Sequence, residues 1–321
     1  MDLLNYKAQG EFKNKHMLTL ADYTKDEILQ ILSLAYKMKK NKDAYRNVLK
    51  GQNLAMIFAK SSTRTRVSFE VGFAELGGHP VVLASDQMQL GRGETIEDTA
   101  KVLSRFVQGI MIRTFEQEHL NLLATHGSIP IINGLTDDYH PCQILADFLT
   151  IYEHFGTFEG LKVCYMGDGN NMTHSLMLGC AVMGIDFSCG CPANHMPEQR
   201  IVDMAMEIAK ESGSQITVTA DAKEAAKDAT VIYSDVWCSM GQGEKDKSEY
   251  MPYQVNDELF AVADEKCVFL HCLPAHRGEE VTASIIDSEK SLVFDEAENR
   301  LHAQKAVMAL LMGNKEEINE I

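Results

Sequence analysis

Nowhere in its 321 residues does the chain hold an apolar run close to the roughly 20 residues that a membrane-spanning helix needs. Basic charge is also short. Lys and Arg number 30 against 46 Asp and Glu, a formal net charge of -16, whereas phosphate backbones and anionic membranes require a basic footprint. The opening MDLLNYKAQGEFKNK interleaves charges with apolar side chains and has no signal-peptide core. A cytoplasmic protein with no nucleic-acid or membrane partner is therefore expected. The strong zinc spacings are missing: the eight cysteines fall irregularly, and CGCPANH (Cys189, Cys191, His195) lacks a C-x2-C half-site. These thiols are expected to be reduced and packed as small hydrophobes, without a metal. No G-x4-G-K-[ST] phosphate loop occurs, and MGDGNN places Met172 where a dinucleotide turn wants its third glycine. Nucleotide cofactors are not expected.

What is present is an ordinary globular composition, 45% hydrophobic and 24% charged, long enough for about two domains at roughly 150 residues each. Residues 20–40 carry apolar side chains at helical spacing (Ile28, Ile31, Leu32, Ala35, Met38), with Thr24 and Glu27 placed as a capping box. An alternation of strand and helix then runs through the first half: NLAMIFA, PVVLAS, GIMIRTF and IPIING read as strands with helices between them. PCQILADFLTIYEHFG reads as a long hinge helix opening on Pro141. The alternation resumes with LKVCYMGD, FSCGC, QITVT, TVIYSDVW and KCVFLHCLP as strands, SLVF as a last short one, and AENRLHAQKAVMALLM as a closing helix. Such alternation predicts an α/β chain of two parallel-sheet domains. The expected division is residues 1–145 with the closing helix 297–321 packed back on them, and residues 146–296. No low-complexity segment or Pro/Gly/Ser-rich linker marks it.

Ligands of parallel α/β sheets bind at the carboxyl ends of the strands, and the polar stretches of this chain fall there. SSTRTR (61–66) follows the first strand and opens a helix, where free N–H groups and the dipole favour an anion. Ser62, Thr63 and Thr65 add hydroxyls, and Arg64 or Arg66 adds a charge-assisted fork. The plainer account is an N-cap with two surface arginines; the concentration of donors favours phosphate. Arg113 ends GIMIRTF. In YHPCQ, His140 could donate to a carbonyl oxygen and Gln143 both donate and accept, against the plain alternative of a hydrogen-bonded core histidine. Asp235 ends TVIYS. His271 and Cys272 end KCVFLHC, where a packed cysteine is the default because no catalytic-cysteine signature surrounds it.

SSTRTR, HPCQ, GDGNN, DVWCSMG, HCLP and EAENR occur in the order and approximate spacing of the aspartate/ornithine carbamoyltransferase superfamily, which the chain resembles from about residue 16 to residue 312. DxWxSMG with HCLP is similar to the ornithine branch. The resemblance implies that Ser62, Thr63, Arg64 and Thr65 hold the phosphate of carbamoyl phosphate. Arg113 and His140 would polarise its carbonyl with help from Thr65. Gln143 and the backbone about Cys272 and Leu273 would place its NH2, and Arg300 would also reach it. Gln89 matches a residue donated to a neighbouring subunit's site, implying a homotrimer or a multiple of trimers. Asn171, Asp235, Ser239 and Met240 match positions that hold L-ornithine, and Asp235 with Cys272 those that make its amine available. The implied reaction transfers the carbamoyl group to ornithine, giving citrulline and phosphate, and needs no cofactor because the leaving group is already activated. Putrescine or N-acetylornithine as acceptor is the alternative, disfavoured by SMG; aspartate is disfavoured because Asp235 would repel a second carboxylate. A dehydrogenase and a silent binding protein are the readings from other classes.

Overall fold

All but one of the apolar runs that read as strands enter a parallel sheet. The computed structural model describes residues 2–84, 88, 93–238, 246–314 and 318. Contacts divide the chain into two compact units, Met1–Leu149 with Glu298–Ile321, and Thr150–Ala297.

In the first unit, α1 (Lys25–Lys40) starts on the expected capping box: Thr24 accepts from the Glu27 N–H, and the Glu27 carboxylate accepts from the Thr24 N–H. Strands β1 (Asn53–Phe58), β2 (His79–Ala84), β3 (Gly109–Arg113) and β4 (Ile131–Leu135) follow. They alternate with α2 (Thr63–Glu75), α3 (Ile96–Leu103) and α4 (Gln117–His126). All neighbours are parallel, in the order β2-β1-β3-β4. Ala55, Ile57, Ile110, Ile112 and Ile131 pack with Leu120 and Leu123 of α4 on one face.

The order matters for function. From β1 the chain winds outward to β2 on one side, then returns to place β3 on the other. The crevice of such a sheet lies where winding reverses, between β1 and β3. Phe58 is in register with Arg113 there, so SSTRTR leaves the sheet beside the end of β3.

Helix α5 (Pro141–Phe155) carries the chain into the second unit. Strands β5 (Lys162–Met166), β6 (Asp186–Gly190), β7 (Ile216–Thr219), β8 (Val231–Ser234) and β9 (Val268–His271) form a parallel sheet ordered β7-β6-β5-β8-β9. The helices between them are α6 (Asn171–Met183), α7 (Gln199–Ser212), α8 (Ala222–Ala226) and the short α9 (Asp257–Phe260). Winding reverses between β5 and β8, and Met166 is in register with Ser234. The loop 167–170 and Asp235 therefore emerge side by side. Cys164, Met166, Ile232, Phe269, Val281 and Ile285 share a core. Burial pushes the Cys164 thiol up to about 12, so it packs as a neutral hydrophobe. Six of the eight cysteines are buried.

One expected strand is not formed. SLVF contributes an isolated bridge, Ser291 to Phe269, and the Leu292 N–H donates to the Phe269 carbonyl. Val293 and Phe294 already belong to α11 (Val293–Met312), which follows the short α10 (Ala283–Ile286). A run of four apolar residues before a helix is ambiguous by periodicity, and the helix took its second half. The C-terminal half of α11 packs on the first unit, where Gln304 bonds Ser68 and Lys305 bonds Glu75 of α2.

Gly169, after β5, meets a second backbone: a Cβ there would lie 2.2 Å from the Pro197 nitrogen and 2.6 Å from the His195 carbonyl oxygen. Gly169→Ala should cost about 1–3 kcal/mol, read as a lowered urea midpoint. An unchanged midpoint would show that residues 195–197 can retreat.

Candidate active site

In the first unit the site is built on the opening turn of α2. Ser62 is its N-cap, its hydroxyl accepting from the Thr65 N–H at 3.2 Å, and the first turn carries no acidic side chain. The remaining first-turn N–H groups and the dipole thus face an anion's position. Thr65 is buried, and its Oγ1 accepts from two guanidinium groups, Arg113 Nη1 at 3.4 Å and Arg300 Nη2 at 3.2 Å. Arg300 also donates through Nη1 to Gln143 Oε1 at 2.6 Å, and Gln143 donates through Nε2 to Asp147 at 2.9 Å.

His140 lies buried among these groups. Burial first, and then the positive fields of Arg300, Arg113 and Arg64, hold its imidazole well below the ordinary histidine value of 6.5. The ring is neutral at pH 7. A neutral imidazole donates one hydrogen bond without adding to the local positive charge. Of the residues that the resemblance assigns to carbamoyl phosphate, Ser62, Thr63, Arg64, Thr65, Arg113, His140, Gln143 and Arg300 fall in the first unit, and Cys272 and Leu273 in the second.

In the second unit, Asn170 caps α6 by accepting from the Met172 and Thr173 N–H groups, and donates to Asp235 Oδ2 at 3.1 Å. Asp235 Oδ1 accepts its own neighbour's Val236 N–H at 2.8 Å and the Cys272 thiol at 3.1 Å. Asn171 is the first residue of α6. Asp235 and Cys272 therefore stand in direct contact, with Asn170 on the other carboxylate oxygen.

Leu273 has φ +57, which a non-glycine residue holds only when its surroundings demand it. Its N–H donates to His271 Nδ1 at 2.8 Å. Because a backbone N–H can only donate, that nitrogen bears no proton, and Nε2 faces Glu280 at 3.2 Å as the N–H. Glu296 accepts the His271 backbone N–H at 2.8 Å and the Tyr233 hydroxyl at 3.0 Å. Asp235, His271 and Cys272 have potential ligand atoms within 4.8 Å of one another. Both ring nitrogens of His271 are already engaged, so the trio is not a prepared metal site.

Gln89, Ser239 and Met240 lie outside the described residues. Asn170, Glu280 and Glu296 were not assigned roles from sequence, although each sits within or beside a motif: GDGNN, HCLP with its RGEEV continuation, and EAENR. Cys189, Cys191 and His195 do not gather as a ligand set; His195 instead meets Glu249 Oε2 at 3.2 Å and Asp168 Oδ1 at 3.7 Å.

Residues 15–153 match the family model for the carbamoyl-P binding domain of aspartate/ornithine carbamoyltransferases, and residues 159–311 match that for the Asp/Orn binding domain. The chain belongs to the aspartate/ornithine carbamoyltransferase family. It is 54% identical over 316 residues to an ornithine carbamoyltransferase of Oceanobacillus iheyensis, covering 97% of this chain and 98% of that one. A relative of the same name from Anoxybacillus flavithermus is also 54% identical, over 96% of this chain and all of its own. The solved ornithine carbamoyltransferase of Pyrococcus furiosus superposes with a TM-score of 0.89 at 50% identity, covering 93% of this chain and 97% of that one. A family member with this surround of His140 should keep the ring neutral well into acid. Its ring resonances, followed by NMR, should not titrate through pH 6.5. Because the folded value is depressed, the neutral ring's contribution to stability is complete above about 6.5 and is lost as pH falls through the folded value. A midpoint near 6.5 would contradict the electrostatic account.

Proposed function

We propose that this protein transfers the carbamoyl group of carbamoyl phosphate to the side-chain amine of L-ornithine, giving L-citrulline and phosphate. The observation that carries the reading is the convergence of Arg113 and Arg300 on Thr65 at the opening turn of α2, beside a neutral His140. The N-terminal turn of α2 with Ser62, Thr63, Arg64 and Thr65 takes the phosphate. Arg113 and His140 face the carbonyl oxygen, where negative charge grows in the transition state; donors already held in place stabilise it without reorganising. Gln143 takes the carbamoyl NH2, with Arg300 alongside.

The acceptor amine resembles that of lysine, with a pKa of about 10.4, and arrives protonated. The Asp235 carboxylate attracts it and takes up one ammonium proton, with the Cys272 thiol hydrogen-bonded to the same carboxylate. The amine nitrogen then forms its bond to the carbonyl carbon. The bond from that carbon to the phosphate oxygen breaks, and phosphate departs on the α2 turn, taking the second proton lost by the amine nitrogen. Asn171 takes part in holding the α-amino and α-carboxylate groups, with Ser239 and Met240 assigned by their match to the family. By the same match we assign a trimeric assembly, or a multiple of trimers, in which Gln89 serves a neighbour's site. A cytoplasmic location is part of the same proposal.

Incubating the protein with carbamoyl phosphate and, separately, ornithine, putrescine, N-acetylornithine and aspartate tests the substrate pair. Citrulline and phosphate from ornithine alone are expected; product from another amine would overturn the acceptor. Asp235→Asn should lower kcat/KM for ornithine by about 100-fold or more while leaving inorganic phosphate affinity within about twofold. Equal loss of both would contradict the assignment of Asp235 to the amine. Light scattering should give three subunits or a multiple, with specific activity falling on dilution to monomers. A fully active monomer would refute the role of Gln89.

A further inference from the structure

The mechanism leaves one edge of Arg300 unexplained. Its Nη1 and Nη2 reach Gln143 and Thr65, but its Nε donates to Gln304 Oε1 at 2.9 Å, a fully buried side chain one turn further along α11. The amide of Gln304 is used on both sides, since Nε2 donates to Ser68 Oγ at 2.7 Å. Ser68 then donates to the Arg64 carbonyl oxygen at 2.6 Å, in the first turn of α2. The direction of every proton follows. Arg300 Nε can only donate, so the Gln304 oxygen faces it, its NH2 faces Ser68, and the Ser68 hydrogen points at the carbonyl.

Two features hold the helices close enough for this relay. At Gly72 an added Cβ would lie 3.0 Å from Lys305 Cγ and 3.3 Å from Leu301 Cδ1, so α2 and α11 touch through a position with no side chain. One residue beyond Gln304, the buried Lys305 ammonium pairs with Glu75 Oε2 at 2.7 Å, near the far end of α2.

We propose that Gln304, acting through Ser68, is a positioning residue for carbamoyl phosphate: it locks the guanidinium plane of Arg300 to the turn of α2 that receives the phosphate. The guanidinium is planar, so fixing Nε fixes where both Nη groups aim. Released from Gln304, Arg300 turns about its last side-chain torsions, and Thr65 and Gln143 must each hold it singly. Preorganisation of this kind raises affinity by removing the ordering cost from the binding step. The inference rests on the carbamoyl-phosphate assignment made above for Arg300.

The test is steady-state kinetics and calorimetry on the intact protein, with inorganic phosphate as the binding probe. Gln304→Met keeps the volume and removes both bonds. It should raise the KM for carbamoyl phosphate and the Kd for phosphate by about tenfold, with the ornithine KM at saturating carbamoyl phosphate within about twofold. Gln304→Glu keeps an oxygen on Arg300 and should restore most of that loss, which a purely packing role would not do. Ser68→Ala should act in the same direction, and the double variant should lose less than the product of the two, because both break one chain. If Gln304→Met fails to fold, Ser68→Ala alone carries the test. Unchanged phosphate affinity in these variants, or equal losses for both substrates, would overturn the relay. Arg300→Gln separates the two claims. If it weakens phosphate binding while Gln304→Met does not, the relay alone falls; if it leaves phosphate affinity intact, the site assignment falls with it.

Discussion

One hydroxyl oxygen, Thr65 Oγ1, accepts from two buried guanidinium groups, and the first unit's chemistry depends on that meeting. Guanidinium groups drawn to a single neutral oxygen repel one another. The repulsion is strong where water is scarce, because the effective dielectric falls and Coulomb energies rise. A dianion placed at the opening of α2 relieves it. Burial, reinforced by the same positive field, keeps His140 neutral, so under the proposed function a donor for the carbonyl oxygen and a cradle for the phosphate arise from one arrangement. Replacing either arginine would remove one of the positive fields that add to burial in holding the His140 imidazole down, along with one donor to Thr65.

Sheet topology explains why these residues meet. Each sheet reverses its winding once, between β1 and β3 in the first unit and between β5 and β8 in the second. A crevice forms at each reversal. Both crevices are furnished by the residues that follow the paired strands: SSTRTR with Arg113 in one, and GDGNN with Asp235 in the other. HCLP follows β9, the strand next to β8, and brings Cys272 to the Asp235 carboxylate. The αL backbone at Leu273 and the buried Glu280 and Glu296 carboxylates hold that turn. This is an example of local strain sustained by its surroundings.

Much of this was legible in the sequence. Nine of the ten strands anticipated from apolar runs ended by polar loops form, and the Thr24–Glu27 box follows from its spacing. SLVF misled because four apolar residues have no period long enough to separate strand from helix. The individual roles in the carbamoyl-phosphate set came from family resemblance; composition gave only a cluster of donors after a strand. Asn170 was hidden by its neighbour Asn171, since two adjacent asparagines do not say which will cap the helix. Glu280, Glu296 and Gln304 were invisible for a different reason. Each supports a site residue from behind, through contacts set by tertiary packing, and a buried polar residue carries no periodic signal of what it will meet. Ser68 and Glu75 meet their partners across 236 and 230 residues of chain.

The shared Thr65 hydroxyl, on the proposed reading, organises an anion site from Arg113 and Arg300. Thr65→Val keeps the shape of the side chain and removes the acceptor for both guanidiniums. Calorimetric titration with inorganic phosphate measures the consequence directly. At least a roughly 30-fold loss of phosphate affinity is expected, in a protein whose secondary structure is unchanged. Phosphate affinity equal to that of the parent protein would contradict that reading.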